Sequence, residues 1–409
     1  MDEIIGTSSD VTTFHPATTP RVGESRTRRL LLASVRGVAL VLAFLVAAEV
    51  FTRLDDKLTW GAPFLSPYSE GYLLRQDSVG FRGRSNFQYQ KWRMNNFGFR
   101  GPDITPSPAP GVTRVAVIGA SETFGLYESE GHEYPARMQA LLDSIAPGRY
   151  EVINVGLPGL SPASMVPYIQ RAVVPTGASI LVIYPTPMFY LEVQPLLVDY
   201  VPPRYQPPAV VKFGGWTIER DAFIPRIFAK ARDVLKGLIP DFVVMEVRQM
   251  RLASVRSKHG DGWVWQTVPS DRMQILRTHL DRLLSSTKAE GLQTLLVTHA
   301  NRFAGAMQDT AGPARRHLVN LMSLYYPQAT PQVMVGFDSV ANALIRERAP
   351  VQGAIVVEAD RRIPASPTYF ADFLHFTDAG ADQMARLIVD GILHHAAKPL
   401  VGAAPVGHQ

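Results

Sequence analysis

The chain of 409 residues contains no cysteine. That absence excludes a disulfide scaffold, a zinc knuckle, an iron–sulfur site and thiol catalysis, and it leaves the compartment open because an exported protein need not contain disulfides. Charge is also sparse. Charged residues make up 19% of the chain, and Lys+Arg 41 against Asp+Glu 36 leaves a formal net charge of +5. Much of that surplus comes from Arg21, Arg26, Arg28 and Arg29, and a field so weak over this length does not point to nucleic acid. There is no internal repeat.

One long apolar run is present. Leu30 to Ala48 reads LLLASVRGVALVLAFLVAA, 19 residues with Arg36 as the single charge. At about 1.5 Å per residue a helix of that length nearly matches a hydrocarbon core of about 30 Å. Two readings stand, a membrane anchor or a signal peptide, because Val46-Ala47-Ala48 also has the small residues of a cleavage site. Snorkelling of Arg36 toward the headgroups favours the uncleaved anchor. The four arginines ahead of the run against Arg53 and Lys57 after it put the N-terminus inside and the rest of the chain outside the cytoplasm. A buried core helix is the weaker reading, since a basic tail directly precedes the run.

The organisation follows from composition. Residues 1–29 read as a disordered cytoplasmic tail, 30–50 as the transmembrane anchor or signal peptide, and 51–110 as a connector packing on the domain. Residues 111–398 read as one domain with an insertion at about 190–270, and 399–409 as a tail. Within the domain, RVAVIG from Arg114, YEVINVG, ASILVIYP (Ala178 to Pro185), GLQTLLVTHA (Gly291 to Ala300) and AIVVEAD are short apolar runs of the kind buried parallel strands show. Helical stretches are expected at His132 to Ile145, about Ser270 to Glu290, Pro313 to Tyr325, Val340 to Arg348 and Ala379 to His394. Alternating strands and helices predict an α/β sheet covered on both faces. The insertion, Pro-rich and then basic and helical near Pro225 to Lys258, reads as a lid or solvated cover.

Ligands of open α/β sheets sit at the carboxyl ends of the strands. The first run ends in Gly119-Ala120-Ser121-Glu122-Thr123-Phe124-Gly125, where a glycine turn exposes a serine at the start of a helix; the same serine also suits an ordinary N-cap. The second ends in Asn154-Val155-Gly156-Leu157-Pro158-Gly159-Leu160-Ser161, a glycine loop that brings N–H groups close to a ligand or simply turns the chain. Near the C-terminus stands Asp372-Phe373-Leu374-His375. A serine needs an imidazole to take its proton and a carboxylate to hold the imidazole's tautomer, and this pair supplies both. A surface ion pair and half a metal site are the plainer alternatives.

These three blocks, VAVIGASETFG, INVGLPGLS and DFLHFTDAG, in this order resemble the SGNH (GDSL-like) hydrolase superfamily over about Arg114 to His394, and NNFGFRG upstream looks like the lead-in of membrane-anchored members. The resemblance implies a flavodoxin-like three-layer αβα sandwich with a mainly parallel sheet, preceded by one N-terminal transmembrane helix. It implies Ser121 as nucleophile, His375 as general base and Asp372 as its orienting partner, with Ser121 and Gly159 N–H groups in the oxyanion hole, and neither cofactor nor metal. Two departures stand out. Ala120 replaces the family's Asp, and the block after the third strand, Tyr184-Pro185-Thr186-Pro187-Met188, has no oxyanion-hole Asn. Thr186, Tyr184, His299 and Asn301 stand where substitute oxyanion or substrate contacts would lie, and a groove lined by Tyr184, Phe189 and Tyr190 would favour a glycan over a lipid.

By likeness to anchored members, the expected activity is an extracytoplasmic, periplasmic serine esterase or acyltransferase acting on O-acetyl groups of a cell-surface polysaccharide. Its partners would be that ester substrate, the membrane through the N-terminal helix and other envelope polysaccharide-synthesis proteins. The competing expectation is a catalytically degenerate binding or assembly subunit. The missing Asn favours it; the joint presence of Ser121, Asp372 and His375 opposes it.

Overall fold

The computed structural model describes residues 26–68, 70–77, 80–192, 210–260, 262–303 and 313–396. Residues 1–25 of the tail expected at 1–29, the tail expected at 399–409 and the Pro-rich start of the insertion at 193–209 lie outside the described residues.

The chain divides into two units, residues 1–52 and 53–409. In the first, helix α1 (Arg26–Trp60) begins, and its apolar side chains are exposed, Leu40 at 71% and Phe44 at 69%. By length and composition it could cross a membrane. The helix takes in the last four residues of the expected tail, 26–29, and runs ten past residue 50. Nothing between Phe51 and Trp60 breaks a helix, and it stops only where Gly61 takes φ 73°, followed by Pro63.

In the second unit five strands form a parallel sheet: β1 (Thr113–Gly119), β2 (Tyr150–Asn154), β3 (Ile180–Tyr184), β4 (Gln293–Val297) and β5 (Ile355–Val357), in the spatial order β5-β4-β3-β1-β2. This is the flavodoxin-like order. The register aligns Val117 with Asn154 and Gly119 with Tyr184, so β1, β2 and β3 end side by side.

The strand period of two sorts the side chains between two cores. On one face Ala116, Ile118, Leu181, Ile183 and Leu296 pack against helices α3 (Pro162–Tyr168), α6 (Ser270–Ala289) and α8 (Pro331–Val351). On the other Val115, Val117, Val182 and Val297 pack against α2 (Tyr134–Ile145) and α9 (Asp378–Ala396). The sheet is therefore the middle of three layers, and the continuous apolar runs reflect burial on both sides.

The insertion contributes a hairpin (Val210–Phe213 with Trp216–Glu219) and helices α4 (Arg226–Gly237) and α5 (Asp241–Arg256). The single helical stretch expected near Pro225 to Lys258 is thus two helices, broken at Pro240, which stands as N-cap of α5. Helix α7 (Pro313–Tyr325) follows β4. Upstream, the connector reaches the domain through Arg100, whose Nη1 donates to Phe124 O at 2.5 Å and to Gly125 O.

Candidate active site

β1 ends in Gly119, and any side chain there would collide with Thr123 Oγ1 and the Tyr184 carbonyl. Glycine lets the chain turn against the end of β3, and Ser121 opens a one-turn helix, Ser121–Phe124. Two neighbours fix this turn. Asn154, at the end of β2, donates its Nδ2 to Thr123 O at 3.0 Å, and Leu157 N donates to Gly119 O at 3.1 Å. Arg100 holds the far end of the turn and pairs with Glu133 at 3.2 Å. The serine therefore stands where the strand order reverses, at the crevice in which open α/β sheets hold ligands.

The loop before α9 brings His375 to it. His375 Nε2 lies 3.0 Å from Ser121 Oγ, and Nδ1 lies 2.8 Å from Asp372 Oδ2. Asp372 Oδ1 accepts the backbone N–H groups of Leu374 and His375, both at 2.8 Å, so its second oxygen is aimed at the ring. Ser121, His375 and Asp372 form one hydrogen-bonded relay.

Its electrostatics follow. Burial alone would pull His375 down, but the hydrogen bond and charge of Asp372, with the charges of Glu122 and Glu128, leave its pKa raised. Burial would push Asp372 up; its bonds to His375 and to two backbone N–H groups hold it below the usual carboxylate range. Burial lifts Glu128 to about 7 against the attraction of Arg100.

Gly159 sits in the loop after β2, exposed, with φ 82°. Neither its N–H nor that of Ser121 donates to a protein acceptor among the described residues.

The four residues expected as substitute contacts stand at the ends of β3 and β4, and each is engaged within the protein. Tyr184 is fully buried, its hydroxyl donating to Ala300 O at 2.9 Å and accepting from Ala300 N at 3.1 Å. Asn301 donates to Asp338 Oδ2 at 2.6 Å and accepts from Phe303 N. Thr186 donates to Glu122 Oε1 at 2.8 Å, and His299 is buried beside the same carboxylate, Nε2 to Oε1 at 3.7 Å. Nor do Tyr184 and Tyr190 line a groove. Both are buried, and Tyr190 OH bonds His279 Nδ1 at 2.8 Å. The exposed aromatic at the site is Tyr127, its ring centroid 4.8 Å from that of His375.

Sequence reasoning missed Glu122. Its carboxylate is buried, accepts Ser121 Oγ–H at 3.0 Å through Oε2, and is backed by a second histidine–aspartate pair. His299 Nδ1 lies 2.5 Å from Asp338 Oδ1, and Asn342 clamps the His299 backbone, donating to its carbonyl at 3.0 Å and accepting its N–H at 2.7 Å. Burial would push Glu122 up, yet the pull of His299 and His375 holds it low, so it is ionised; His299 is correspondingly raised by Asp338 and Glu122 in spite of its burial. Ser121 has one proton and two acceptors. With His375 neutral they compete for it; with His375 protonated, Nε2–H donates to Oγ and Oγ–H to Glu122. Glu122 thus favours the imidazolium.

No family model and no curated protein matches the chain. Among solved structures it is similar to a GDSL-like lipase of Bacteroides thetaiotaomicron (14% identity, covering 71% of this chain and 92% of that one, TM-score 0.38). It is also similar to a lipase/acylhydrolase of Enterococcus faecalis (12%, 69% and 95%, 0.38) and an acetylxylan esterase of Geobacillus stearothermophilus (13%, 69% and 96%, 0.38). Likeness at this level says nothing about chemistry, which the side chains alone decide.

Proposed function

We propose that this protein is a serine ester hydrolase or O-acyltransferase of the SGNH type, held at a membrane by its N-terminal helix. In this reading it works outside the cytoplasm on O-acetyl groups of a cell-surface polysaccharide. The observation that carries the chemistry is the relay, 3.0 Å from Ser121 Oγ to His375 Nε2 and 2.8 Å from His375 Nδ1 to Asp372 Oδ2. Ser121 Oγ attacks the acyl carbonyl as its proton passes to His375 Nε2, and Asp372 stabilises the imidazolium. The Ser121 and Gly159 N–H groups meet the developing oxyanion. His375 returns the proton to the leaving sugar oxygen, and water or a second sugar hydroxyl, deprotonated by the same ring, releases the acyl group. The two acceptors share this first half, so the enzyme is a hydrolase or a transferase according to which reaches the acyl-serine.

The glycan substrate is supported by Tyr127, whose exposed ring beside His375 offers a flat face to a sugar ring. The location is supported by α1 and by the arginines ahead of its apolar run. The test is covalent labelling of the protein by a fluorophosphonate, with Ser121→Ala and His375→Ala alongside. The expected result is labelling of the wild type, lost in both variants. A folded wild type that does not label overturns the reading in favour of a binding or assembly subunit.

A further inference from the structure

The insertion presents a helix turned inside out. Helix α4 reads RIFAKARDVLKG, and at 100° per residue Arg226, Lys230 and Asp233 share one face while Phe228, Leu235 and the following Leu238 share the other. In a helix of a soluble domain the second face would pack inward. Here the charged face is the one that docks. Arg226 is buried, with Nη1 on Asp56 Oδ2 at 2.8 Å and Nη2 on Ser66 O at 2.6 Å, and Lys230 Nζ reaches Asp56 Oδ1 at 2.8 Å and Asp55 Oδ2 at 3.0 Å. Arg53 Nη2 adds a bond to Ala222 O at 2.6 Å, just ahead of the helix. The apolar face is left outward: Phe228 is 62% exposed, Leu235 63% and Leu238 73%, with Trp216 at the hairpin tip at 70%. A row of large apolar side chains left exposed along one helix face marks an interaction site.

Two observations identify the occupant. Asp56, which Arg226 and Lys230 grip, follows the last residue of the apolar run, Ala48, by only eight residues. A helix rises about 1.5 Å per residue, so those residues carry the chain about 12 Å. The second is charge. Residues 210–260 contain ten Lys and Arg against five Asp and Glu, a surplus equal to the net charge of the whole chain. An amphipathic helix with an apolar face, a basic surround and a short tether to a membrane span has the makeup of an interfacial helix on an anionic bilayer.

We propose that α4 lies in the headgroup region of the membrane that α1 enters, its Phe228, Leu235 and Leu238 face buried among the lipids, so that the insertion is a second membrane contact. This rests on the anchor reading above.

The absence of cysteine makes the test clean. Full-length chains carrying one cysteine each, Leu40→Cys, Asp233→Cys or Leu235→Cys, are labelled with an environment-sensitive fluorophore and placed in nanodiscs of phosphatidylglycerol and phosphatidylethanolamine. Lipids bearing a shallow nitroxide quench at headgroup depth, where residue 235 is expected, lipids bearing one near the acyl-chain end quench at the bilayer centre, where residue 40 is expected, and iodide quenches from water. The expected result is several-fold stronger lipid quenching at residue 235 than at residue 233, with residue 235 shielded from iodide. Residue 235 open to iodide and untouched by the nitroxide, while residue 40 is quenched, overturns the docking and leaves the anchor. Residue 235 shielded from iodide yet untouched by the nitroxide assigns the face to a second copy or another protein and also overturns it. Residue 40 unquenched removes the anchor, and the proposal with it.

Discussion

Replacing Glu122 with Gln removes a charge from behind the nucleophile and keeps its shape and an acceptor for Thr186. Glu122 Oε2 and His375 Nε2 each lie 3.0 Å from Ser121 Oγ, which puts them no more than about 6 Å apart. At that distance a unit charge and an imidazolium attract by about 0.7 kcal/mol at an effective dielectric of about 80 and about 2.8 kcal/mol at about 20. Converted at about 1.4 kcal/mol per unit, the His375 pKa falls by about half a unit to two units in the variant. The base must be neutral to act, so activity is lost as pH falls through this pKa. In Glu122→Gln the acid limb of kcat/KM for p-nitrophenyl acetate therefore moves to lower pH by the same amount. Glu128 and Asp372 remain and keep the rest of the upward pull. The histidine ring resonances of Ser121→Ala, with and without Glu122→Gln, follow the same shift without needing turnover. An acid limb and a His375 titration unchanged within about 0.3 units would refute the reasoning, because they would mean that Glu122 is neutral or does not face the ring.

Three further outcomes follow from the same geometry. Asp372→Asn leaves the ring in place but removes control of its tautomer, and kcat should fall on the order of 10⁴-fold with the fold intact by circular dichroism, as in triads of this kind. Asp338→Asn strips the counter-charge from buried His299, and breaking a buried pair costs about 3–5 kcal/mol, read as a lower urea midpoint with an unchanged slope. Tyr127→Ala should raise KM for an acetylated oligosaccharide by about two- to tenfold, the worth of one aromatic contact, while leaving p-nitrophenyl acetate turnover unchanged; equal effects on both substrates would mean that the ring serves His375 and not the sugar.

The fold was legible because its information is local. Strands β1, β3 and β4 are buried on both faces and appear in the sequence as apolar runs, the edge strands β2 and β5 are half-buried and shorter in apolar content, and the helices between them carry their own periodicity. The relay was legible for a different reason. Serine at a strand end, a glycine loop and an Asp-x-x-His before the last helix are each short motifs, and their chemistry requires them to meet. The break within the insertion was marked by Pro240, but a basic stretch read as one charged surface does not disclose that Arg226 turns inward. That depends on Asp56, 170 positions away in the chain.

Glu122 shows where such reading stops. An acidic residue in the first turn of a helix serves on sequence grounds to complement the helix dipole, and it would be expected in water. Only the tertiary structure brings Thr186 from the end of β3, His299 from the end of β4, and Asp338 and Asn342 from one face of α8 around it. The loop after β3 supplies a hydroxyl, that of Thr186, that holds this carboxylate. A negative charge 3.0 Å from Ser121 Oγ has two opposed effects. It stabilises the imidazolium that forms as the serine attacks, and it repels the oxyanion forming on the substrate. The pH profile separates them. The acid limb reports the imidazolium, whereas the plateau above it, where His375 is already neutral, also feels the oxyanion. A Glu122→Gln variant whose limb moves down while its plateau stays level or rises would show that the charge is present to set the base and that the oxyanion is held by backbone N–H groups alone. A falling plateau would mean that support of the forming imidazolium outweighs repulsion of the oxyanion, or that the carboxylate holds the Ser121 rotamer; rescue by Glu122→Asp, which keeps the charge and shortens the side chain, would assign the loss to the charge.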